Sequence, residues 1–230
     1  MRTPLVLLPG LICDERLWRD VIGGLGNTVE AIVADLTQGD SIAQMASHAL
    51  AVAPPRFALA GLSMGGYVAM EIMRQAPERV SHLALLDTMA RPDDEARRAN
   101  RLKGIDGVEQ GRFVEVTKGM LASLLAPQHL DTAVADEVQT MSERVGPQVY
   151  IRQQKAIMER VDSRPGLKEI GVPTLVGVGE MDVLIPPELS REIAEGIAGA
   201  ELVTFPGSGH LPTMENPEAV TAAMRGWLGR

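Results

Sequence analysis

The chain has 230 residues and a formal net charge of −8 at pH 7, and 45% of its residues are hydrophobic. This length suits a single domain with a sizeable core, and the negative charge argues against nucleic acid or an anionic membrane surface as a partner. No apolar run reaches the roughly 18 residues of a membrane span, and the lone cysteine, Cys13, excludes an intramolecular disulfide and fits a reducing compartment, so we expect a cytoplasmic protein.

Predicted strands and helices alternate along the first part of the chain. Apolar runs predict strands at residues 4–8, 30–34, 57–60 and 80–86. Helical spacing of apolar residues, with Asp14 and Ser41 as N-terminal caps, predicts helices at residues 14–25, 41–52 and 67–76. Strands separated by helices of this length form right-handed βαβ units, so the sequence predicts an α/β fold with a mainly parallel sheet flanked by helices.

The alternation stops after the strand that ends at Asp87. Helical patterns then follow without a convincing strand, at about residues 93–102, 108–125, 131–145 and 148–161. We interpret residues 90–166 as a helical insertion, punctuated among other places at Gly104 and Gly107, that lies over the carboxyl edge of the sheet as a lid. Residues 1–89 and 167–230 then form the core. The alternative is that these helices simply cover one face of the sheet.

Beyond the insertion the strand and helix patterns resume. Apolar runs predict strands at residues 173–178 and 201–205. Helices are predicted at residues 187–197 and 216–228, the second with Asn216 as its cap and Pro217 at its first position.

The sequence Gly61-Leu62-Ser63-Met64-Gly65 lies between a predicted strand and a predicted helix. It matches G-x-S-x-G, the pattern of a nucleophile elbow, in which a sharp turn lifts a serine hydroxyl above the sheet. The two glycines have no Cβ, so the strand end and the helix start can approach closely. We therefore predict Ser63 as a nucleophile. The alternative is a glycine-rich turn that only requires small residues.

Two further residues follow strands at the same predicted edge of the sheet. Asp182 follows the fifth strand of the core and His210 follows the sixth, and parallel strands open their ligand site at their carboxyl ends. A serine hydroxyl is a weak nucleophile that needs an imidazole to take its proton, and a carboxylate to orient that imidazole. We predict Ser63, His210 and Asp182 in these roles. Glu180 and Asp87 remain alternatives for the acid, and Asp182 is favoured because it lies clear of the strand.

The oxyanion that forms during acyl transfer needs hydrogen-bond donors. The backbone N–H of Met64, directly after the nucleophile, is one predicted donor. The second is predicted at Leu11, in the loop after the first strand, where Gly10 lets the chain approach a substrate. The alternative for this loop is an ordinary turn that ends the strand.

Four short segments carry a resemblance to a known family: Leu-Pro-Gly-Leu at 8–11, Gly-Leu-Ser-Met-Gly-Gly at 61–66, Gly-Glu-Met-Asp at 179–182 and Gly-Ser-Gly-His at 207–210. With these segments the chain resembles the α/β-hydrolase superfamily, in particular its small esterase-like members. These include the pimeloyl-carrier methyl ester esterases, the enol-lactonases and the carbon–carbon bond hydrolases. The resemblance implies the α/β-hydrolase fold, a Ser-Asp-His triad and hydrolysis that needs no cofactor.

The leading hypothesis is a serine hydrolase that cleaves small to medium carboxylic esters of a small-molecule substrate through an acyl-enzyme on Ser63. We expect four apolar residues of the insertion to line the substrate pocket: Phe113, Met120, Leu121 and Leu124. No cluster has the spacing of a metal site. A lyase or carbon–carbon bond hydrolase with the same triad, and a non-catalytic ligand receptor, remain alternatives. The sequence leaves the oligomeric state open.

Overall fold

A sheet of six parallel strands runs through the molecule, in the order β2-β1-β3-β4-β5-β6. The computed structural model describes residues 2–230. The strands are β1 (Thr3–Leu8), β2 (Val29–Val33), β3 (Phe57–Leu62), β4 (Val80–Leu86), β5 (Thr174–Gly179) and β6 (Glu201–Phe205). The predicted α/β fold with a parallel sheet is thereby confirmed.

Ten α-helices lie between and beside the strands in the described part of the chain. They are α1 (Arg19–Leu25), α2 (Ile42–Val52), α3 (Met64–Gln75), α4 (Glu95–Glu109), α5 (Phe113–Leu124), α6 (Ala133–Val145), α7 (Pro147–Met158), α8 (Pro187–Gly196), α9 (Pro212–Glu215) and α10 (Pro217–Leu228). None of these described helices is long and apolar enough to cross a membrane.

The two faces of the sheet bury alternate residues of each strand. In β1, Val6 and Leu8 pack in a cluster with residues of α2, α3 and α8, whereas Leu5 and Leu7 pack in a second cluster with α1 and α10. Because both faces are covered, the central strands β3 and β5 are buried along their whole length and consist of apolar and small residues with a single threonine. The more polar β2 and β6 form the two edges of the sheet.

The prediction for the first helix was wrong in one respect. Instead of one helix from Asp14, the chain forms a 3₁₀ turn at Glu15–Leu17 and then α1. The Asp14 side chain still acts as a cap, because its Oδ1 accepts a hydrogen bond from Arg16 N at 3.0 Å. The interruption falls at Trp18, which is completely buried.

Helices α4 to α7 occupy the chain between β4 and β5, and the predicted break near Gly104 and Gly107 was wrong. Both glycines lie inside α4. A Cβ at Gly104 would overlap the Tyr150 hydroxyl, and a Cβ at Gly107 would lie 2.9 Å from Val116 Cγ2. These glycines therefore allow α7 and α5 to approach α4 closely. Instead, Gly111, which has a φ of 80°, lies in the turn that separates α4 from α5.

The helices of the predicted insertion also contact the core. Ala135, Val138 and Met141 of α6 belong to the same apolar cluster as Trp18 and Leu211. A separate small cluster under the insertion consists of Ile12, Ile105, Val108 and Tyr150. The helices thus pack on one another and on the core at once. The division into a core and a lid at residues 90 and 166 stays a prediction.

Candidate active site

Ser63 lies in a sharp turn between β3 and α3. Its φ of 55° and ψ of −115° fall in a region that a residue with a Cβ rarely adopts. A Cβ at Gly61 would overlap the carbonyl oxygen of Gly65, and a Cβ at Gly65 would overlap the carbonyl oxygen of Leu8. Only glycine at both positions allows this turn, which is the physical content of the G-x-S-x-G pattern.

Hydrogen bonds from the neighbouring strand hold the strained turn in place. Ser63 N donates to Leu86 O at 2.9 Å, and the Thr88 hydroxyl donates to Ser63 O at 2.8 Å. Both partners belong to β4 or the segment directly after it. The backbone of Ser63 is therefore fixed through both its N–H and its carbonyl group, while its hydroxyl stays available.

Ser63, His210 and Asp182 form a continuous series of hydrogen bonds. His210 Nε2 lies 2.8 Å from Ser63 Oγ, and His210 Nδ1 lies 2.7 Å from Asp182 Oδ2. Since the carboxylate accepts from Nδ1–H, Nε2 is left to accept the serine proton. The imidazole and the carboxylate are both buried, at 1% and 3% exposure. Hydrogen bonds in such a water-poor environment are electrostatically strong.

Asp182 is oriented by its own loop. Its Oδ1 accepts hydrogen bonds from the N–H groups of Leu184 and Ile185, both at 2.9 Å. This arrangement holds one carboxylate oxygen and directs the other, Oδ2, to the imidazole. The segment before α8 thereby positions the acid.

Glu215 holds the histidine loop, and the sequence analysis missed it. Its carboxylate accepts hydrogen bonds from Gly209 N (3.0 Å), Leu211 N (3.1 Å) and Ala126 N (2.7 Å). These donors include both neighbours of His210, and His210 N itself donates to Leu124 O at 2.9 Å. The only signal in the sequence was an acidic residue in a short helix directly after the histidine, where unpaired N–H groups are common.

Neither alternative acid contacts the imidazole in this way. Glu180 is exposed, and its Oε2 accepts a hydrogen bond from Gly207 N at 2.9 Å. Asp87 is completely buried, and its Oδ1 accepts from Gly179 N at 2.7 Å. Burial, and next the charge of Asp182, raise the pKa of Asp87 well above its ordinary value. A carboxyl group that resists ionisation is poorly suited to stabilise an imidazolium.

Of the two predicted oxyanion donors, Met64 directly follows the nucleophile and Leu11 lines the same cavity as Ser63. In the part of the chain that the structure describes, the N–H groups of Leu11 and Met64 donate to no protein acceptor. The loop of Leu11 is fixed by Gln153 of α7, whose Oε1 accepts from Ile12 N at 2.9 Å and whose Nε2 donates to Leu36 O at 3.1 Å. Sequence reasoning missed Gln153 because its partners lie more than 100 residues away.

A cavity of about 870 Å³ opens onto Ser63 and His210. Met120 and Leu124 line it as expected, whereas Phe113 and Leu121 are not among its lining residues. The apolar wall comes instead from other residues of the insertion and core: Leu11, Val116, Val138, Met141, Ile157, Ile185 and Leu211. Two of the four pocket predictions were therefore wrong.

The helix faces of α5 explain the two errors. Phe113 packs edge-to-face on Tyr150, with ring centroids 6.2 Å apart, in the small cluster under the insertion. Leu121 packs against the core cluster that includes Leu125 and Val138. The apolar residues of α5 face the small cluster, the core cluster and the cavity, and the sequence alone does not show which residue faces which.

Two of the basic side chains at the cavity have partners within the protein. Arg101 Nε lies 2.6 Å from Asp93 Oδ2, and its Nη1 donates to Gln154 Oε1 at 2.7 Å. Arg97 Nη1 donates to Leu184 O at 3.0 Å. Asp93 also lies 2.9 Å from Arg160 Nη2, so its charge is shared between two arginines. The cavity lining carries both signs of charge, because it also includes Lys103, Arg112, Asp94, Asp106 and Glu115.

Cys13 lines the same cavity but is not prepared for nucleophilic chemistry. Its thiol is hydrogen-bonded to Leu11 O at 3.4 Å. Burial, and next the charge of Asp14, raise the pKa of the Cys13 thiol to about 12. The reactive thiolate is therefore scarce at neutral pH.

Ligand-type atoms of Asp87, Asp182 and His210 lie within 4.8 Å of one another, so distance alone would permit a metal ion. However, the separation of 2.7 Å between His210 Nδ1 and Asp182 Oδ2 is that of a hydrogen bond. Two ligands on one tetrahedral zinc ion, each about 2.1 Å from the metal, would lie about 3.4 Å apart. The donor set therefore fits a proton between these atoms better than a metal ion.

The chain is similar in sequence and fold to known proteins. The profile of the alpha/beta hydrolase family matches residues 5–223. A relative from Mycobacterium tuberculosis, provisionally named a non-heme bromoperoxidase, is 31% identical over 86% of this chain and 74% of its own length. The pimeloyl-[acyl-carrier protein] methyl ester esterase of Pectobacterium carotovorum is 29% identical over 95% of this chain and 91% of its own. Among solved structures, a thermophilic esterase from Thermogutta terrifontis, determined with malate bound, is 31% identical and superimposes with a TM-score of 0.90 over 99% of this chain and 89% of its own.

Proposed function

The chain belongs to the alpha/beta hydrolase family, and from that premise we propose that it is a serine hydrolase that cleaves small to medium carboxylic esters. The observation that carries this proposal is the series of hydrogen bonds from Ser63 through His210 to Asp182, which opens onto a cavity. The names of two relatives, a methyl ester esterase and an esterase, support ester cleavage in particular.

The proposed reaction begins when Ser63 Oγ attacks the ester carbonyl carbon. His210 Nε2 takes the serine proton, and Asp182 stabilises the resulting imidazolium. The N–H groups of Leu11 and Met64 donate to the oxyanion of the tetrahedral intermediate. His210 then gives its proton to the leaving alcohol, and an acyl-enzyme remains on Ser63.

The same residues complete the turnover. A water molecule replaces the alcohol, and His210 Nε2 takes one of its protons as it attacks the acyl carbonyl. The second tetrahedral intermediate collapses with return of the proton to Ser63 Oγ. The acid product leaves and the free serine is restored, so the proposed cycle needs only water besides side chains and amides of this chain.

The size and the lining of the cavity support a small-molecule ester with an uncharged acyl group. A volume of about 870 Å³ is near the upper end of the usual range for small-molecule sites. Its apolar wall includes Met120 and Met141, whose flexible thioethers adapt to different shapes. The charged residues of the wall nearly balance, with four basic side chains (Arg97, Arg101, Lys103, Arg112) and three acidic ones (Asp94, Asp106, Glu115), so the wall gives an anionic acyl chain no strong preference.

The experiment that tests the proposal combines labelling with turnover. A fluorophosphonate should acylate the wild-type protein at Ser63, and nitrophenyl esters should be hydrolysed. Ser63→Ala should lose the label and nearly all turnover, with kcat about 10⁵–10⁶-fold lower, while its unfolding curve stays unchanged. Turnover retained within tenfold in Ser63→Ala would refute the proposal. Labelling without ester turnover would instead favour a lyase or a carbon–carbon bond hydrolase with the same nucleophile.

A further inference from the structure

A second carboxyl group, that of Asp87, is buried beneath the proposed acid of the triad. Asp87 directly follows β4 and is completely buried. Its backbone has a φ of 45°, which costs energy for any residue with a Cβ, although aspartate tolerates it better than most. Asp87 N donates to Gly177 O at 2.8 Å, and Asp87 Oδ1 accepts from Gly179 N at 2.7 Å. The fold thus holds this side chain in one place at the expense of backbone strain.

The two carboxyl groups of Asp87 and Asp182 are not equally supplied with hydrogen-bond donors. Asp182 accepts from the N–H groups of Leu184 and Ile185 and from His210 Nδ1. Asp87 Oδ1 accepts from one N–H group, and its Oδ2 has no partner among the described residues that could donate to it. A buried carboxylate oxygen without a donor is costly, whereas a protonated one is itself a donor.

The carboxyl group of Asp182 is the candidate partner for Asp87 Oδ2. Ligand-type atoms of Asp87, Asp182 and the His210 imidazole lie within 4.8 Å of one another. Two neighbouring buried carboxyl groups cannot both ionise without strong repulsion. Since three donors already stabilise the charge on Asp182, a shared proton belongs on Asp87.

We propose that Asp87 is a neutral carboxylic acid that donates its Oδ2 proton to the Asp182 carboxylate and so positions that carboxylate beneath His210. Asp87 is not among the residues that line the cavity, so it is a positioning residue. Its role in turnover rests on the proposed function, because Asp182 acts only through the imidazole that serves Ser63.

The charged surroundings of Asp87 agree with this assignment. Asp182 from the loop after β5 and His210 from the loop after β6 lie beside it, and the charge of Glu215 from α9 acts on it less strongly. Burial raises the pKa of Asp87 most, the charge of Asp182 raises it next, and the N–H of Gly179 lowers it by less. At alkaline pH, loss of this proton would place a second negative charge beside Asp182 and disturb its alignment with the imidazole.

The first test compares Asp87→Asn with Asp87→Ala. The asparagine can keep an oxygen toward Gly179 N and present an N–H donor to Asp182, whereas alanine provides neither. We expect kcat for a nitrophenyl ester to be about 10- to 100-fold lower in Asp87→Ala than in Asp87→Asn, with KM little changed, because a small misplacement of a catalytic group has effects of this size. In the pH profile, the alkaline decline of the wild-type protein should be absent in Asp87→Asn.

Two outcomes of this test would overturn the proposal. If Asp87→Asn loses as much activity as Asp87→Ala, a negative charge at this position is what matters. If Asp87→Ala keeps kcat within threefold of the wild-type value across the pH range, Asp87 does not position the acid.

The second test does not depend on turnover or on the alanine variant folding. The infrared spectrum of the Ser63→Ala protein at neutral pH should contain the C=O stretch of a buried carboxylic acid. This band should be absent from Ser63→Ala/Asp87→Asn, so it should appear in the difference between the two spectra. Absence of the band from the Ser63→Ala protein would refute the neutral Asp87. If the band is present but the wild-type protein hydrolyses no ester, the proposed function fails and the assignment of the proton stands.

Discussion

At the scale of single residues, the arrangement separates two carboxyl groups into different states. Asp182 receives three donors and lies 2.7 Å from the imidazole, whereas Asp87 receives one donor and resists ionisation. Both follow central strands at the same edge of the sheet, and both were candidates for the acid on sequence alone. Their hydrogen-bond partners, which the sequence does not reveal, distinguish them.

A substitution of the proposed acid tests this distinction. Asp182→Asn should lower kcat by about 10⁴-fold, because an amide in place of the carboxylate favours the wrong imidazole tautomer. The measurement is ester turnover at saturating substrate. Glu180→Gln, which makes the same kind of change on an exposed side chain two residues away, should cost far less. A crippling effect of Glu180→Gln with a mild effect of Asp182→Asn would reverse the assignment.

The raised pKa of Asp87 also predicts how stability depends on pH. Between the ordinary aspartate pKa of 3.8 and the raised value, the folded protein binds one proton more than the unfolded chain, so its stability falls as pH rises, by up to about 1.4 kcal/mol per pH unit. Asp87→Asn removes this contribution. The free energy of unfolding of Asp87→Asn minus that of the wild-type protein should therefore grow steadily from pH 4 upward.

Denaturant unfolding at a series of pH values measures this difference. Asp40→Asn is the matched control, since the Asp40 side chain is 78% exposed, and its difference from the wild-type protein should stay nearly flat. A flat difference for Asp87→Asn as well would mean that Asp87 ionises as easily in the folded protein as in the unfolded chain.

At the scale of elements, the short helix α9 joins the histidine loop to the end of α5. Glu215 of α9 accepts hydrogen bonds from N–H groups on both sides of His210 and from Ala126. A helix of four residues contributes little through its own backbone. Its carboxylate is what gives it a part in the site, because it satisfies donors that would otherwise be unpaired.

Glu215→Gln should weaken both the fold and the site. The glutamine keeps one acceptor oxygen and turns an NH₂ group toward a backbone N–H, so at least one donor loses its partner. We expect the free energy of unfolding to fall by about 1–3 kcal/mol and kcat to fall by about 10- to 100-fold. Glu195→Gln, on an exposed position of α8, removes the same charge elsewhere and should change neither quantity appreciably. Equal behaviour of the two variants would remove Glu215 from the support of His210.

At the scale of the whole molecule, we expect the cavity between the core and helices α4 to α7 to determine which acyl groups fit. Each buried methylene contributes about 0.8 kcal/mol. In a series of nitrophenyl esters from acetate to palmitate, kcat/KM should therefore rise over the first few acyl carbons and then fall when the cavity is full. A steady rise to palmitate would indicate a lipase. A strong preference for an acyl chain that bears a carboxylate, lost in Arg97→Ala or Arg101→Ala, would mean that the basic residues of α4 bind substrate.

The sequence predicted the sheet well because strand burial and helical spacing are local patterns. The apolar runs of β3 and β5 and the glycines beside Ser63 are readable without any partner. The roles of Gly104, Glu215 and Gln153 were not predictable, because each depends on a contact with a distant or differently folded segment. The prediction that Phe113 lines the pocket was wrong for the same reason. The catalytic roles of Ser63, Asp182 and His210 stay a proposal, although the structure brings the three side chains within hydrogen-bonding distance.

Hydrogen bonds join the end of α5 to the histidine loop, so local opening of one of these segments requires opening of the other. Leu124 O accepts from His210 N, and Ala126 N donates to the carboxylate that holds Gly209. Lifting the end of α5 therefore breaks the bond on which the His210 backbone depends, and the base cannot stay aligned on Ser63. In amide hydrogen exchange, the protons of Ala126 and His210 should be released together, with the same opening free energy.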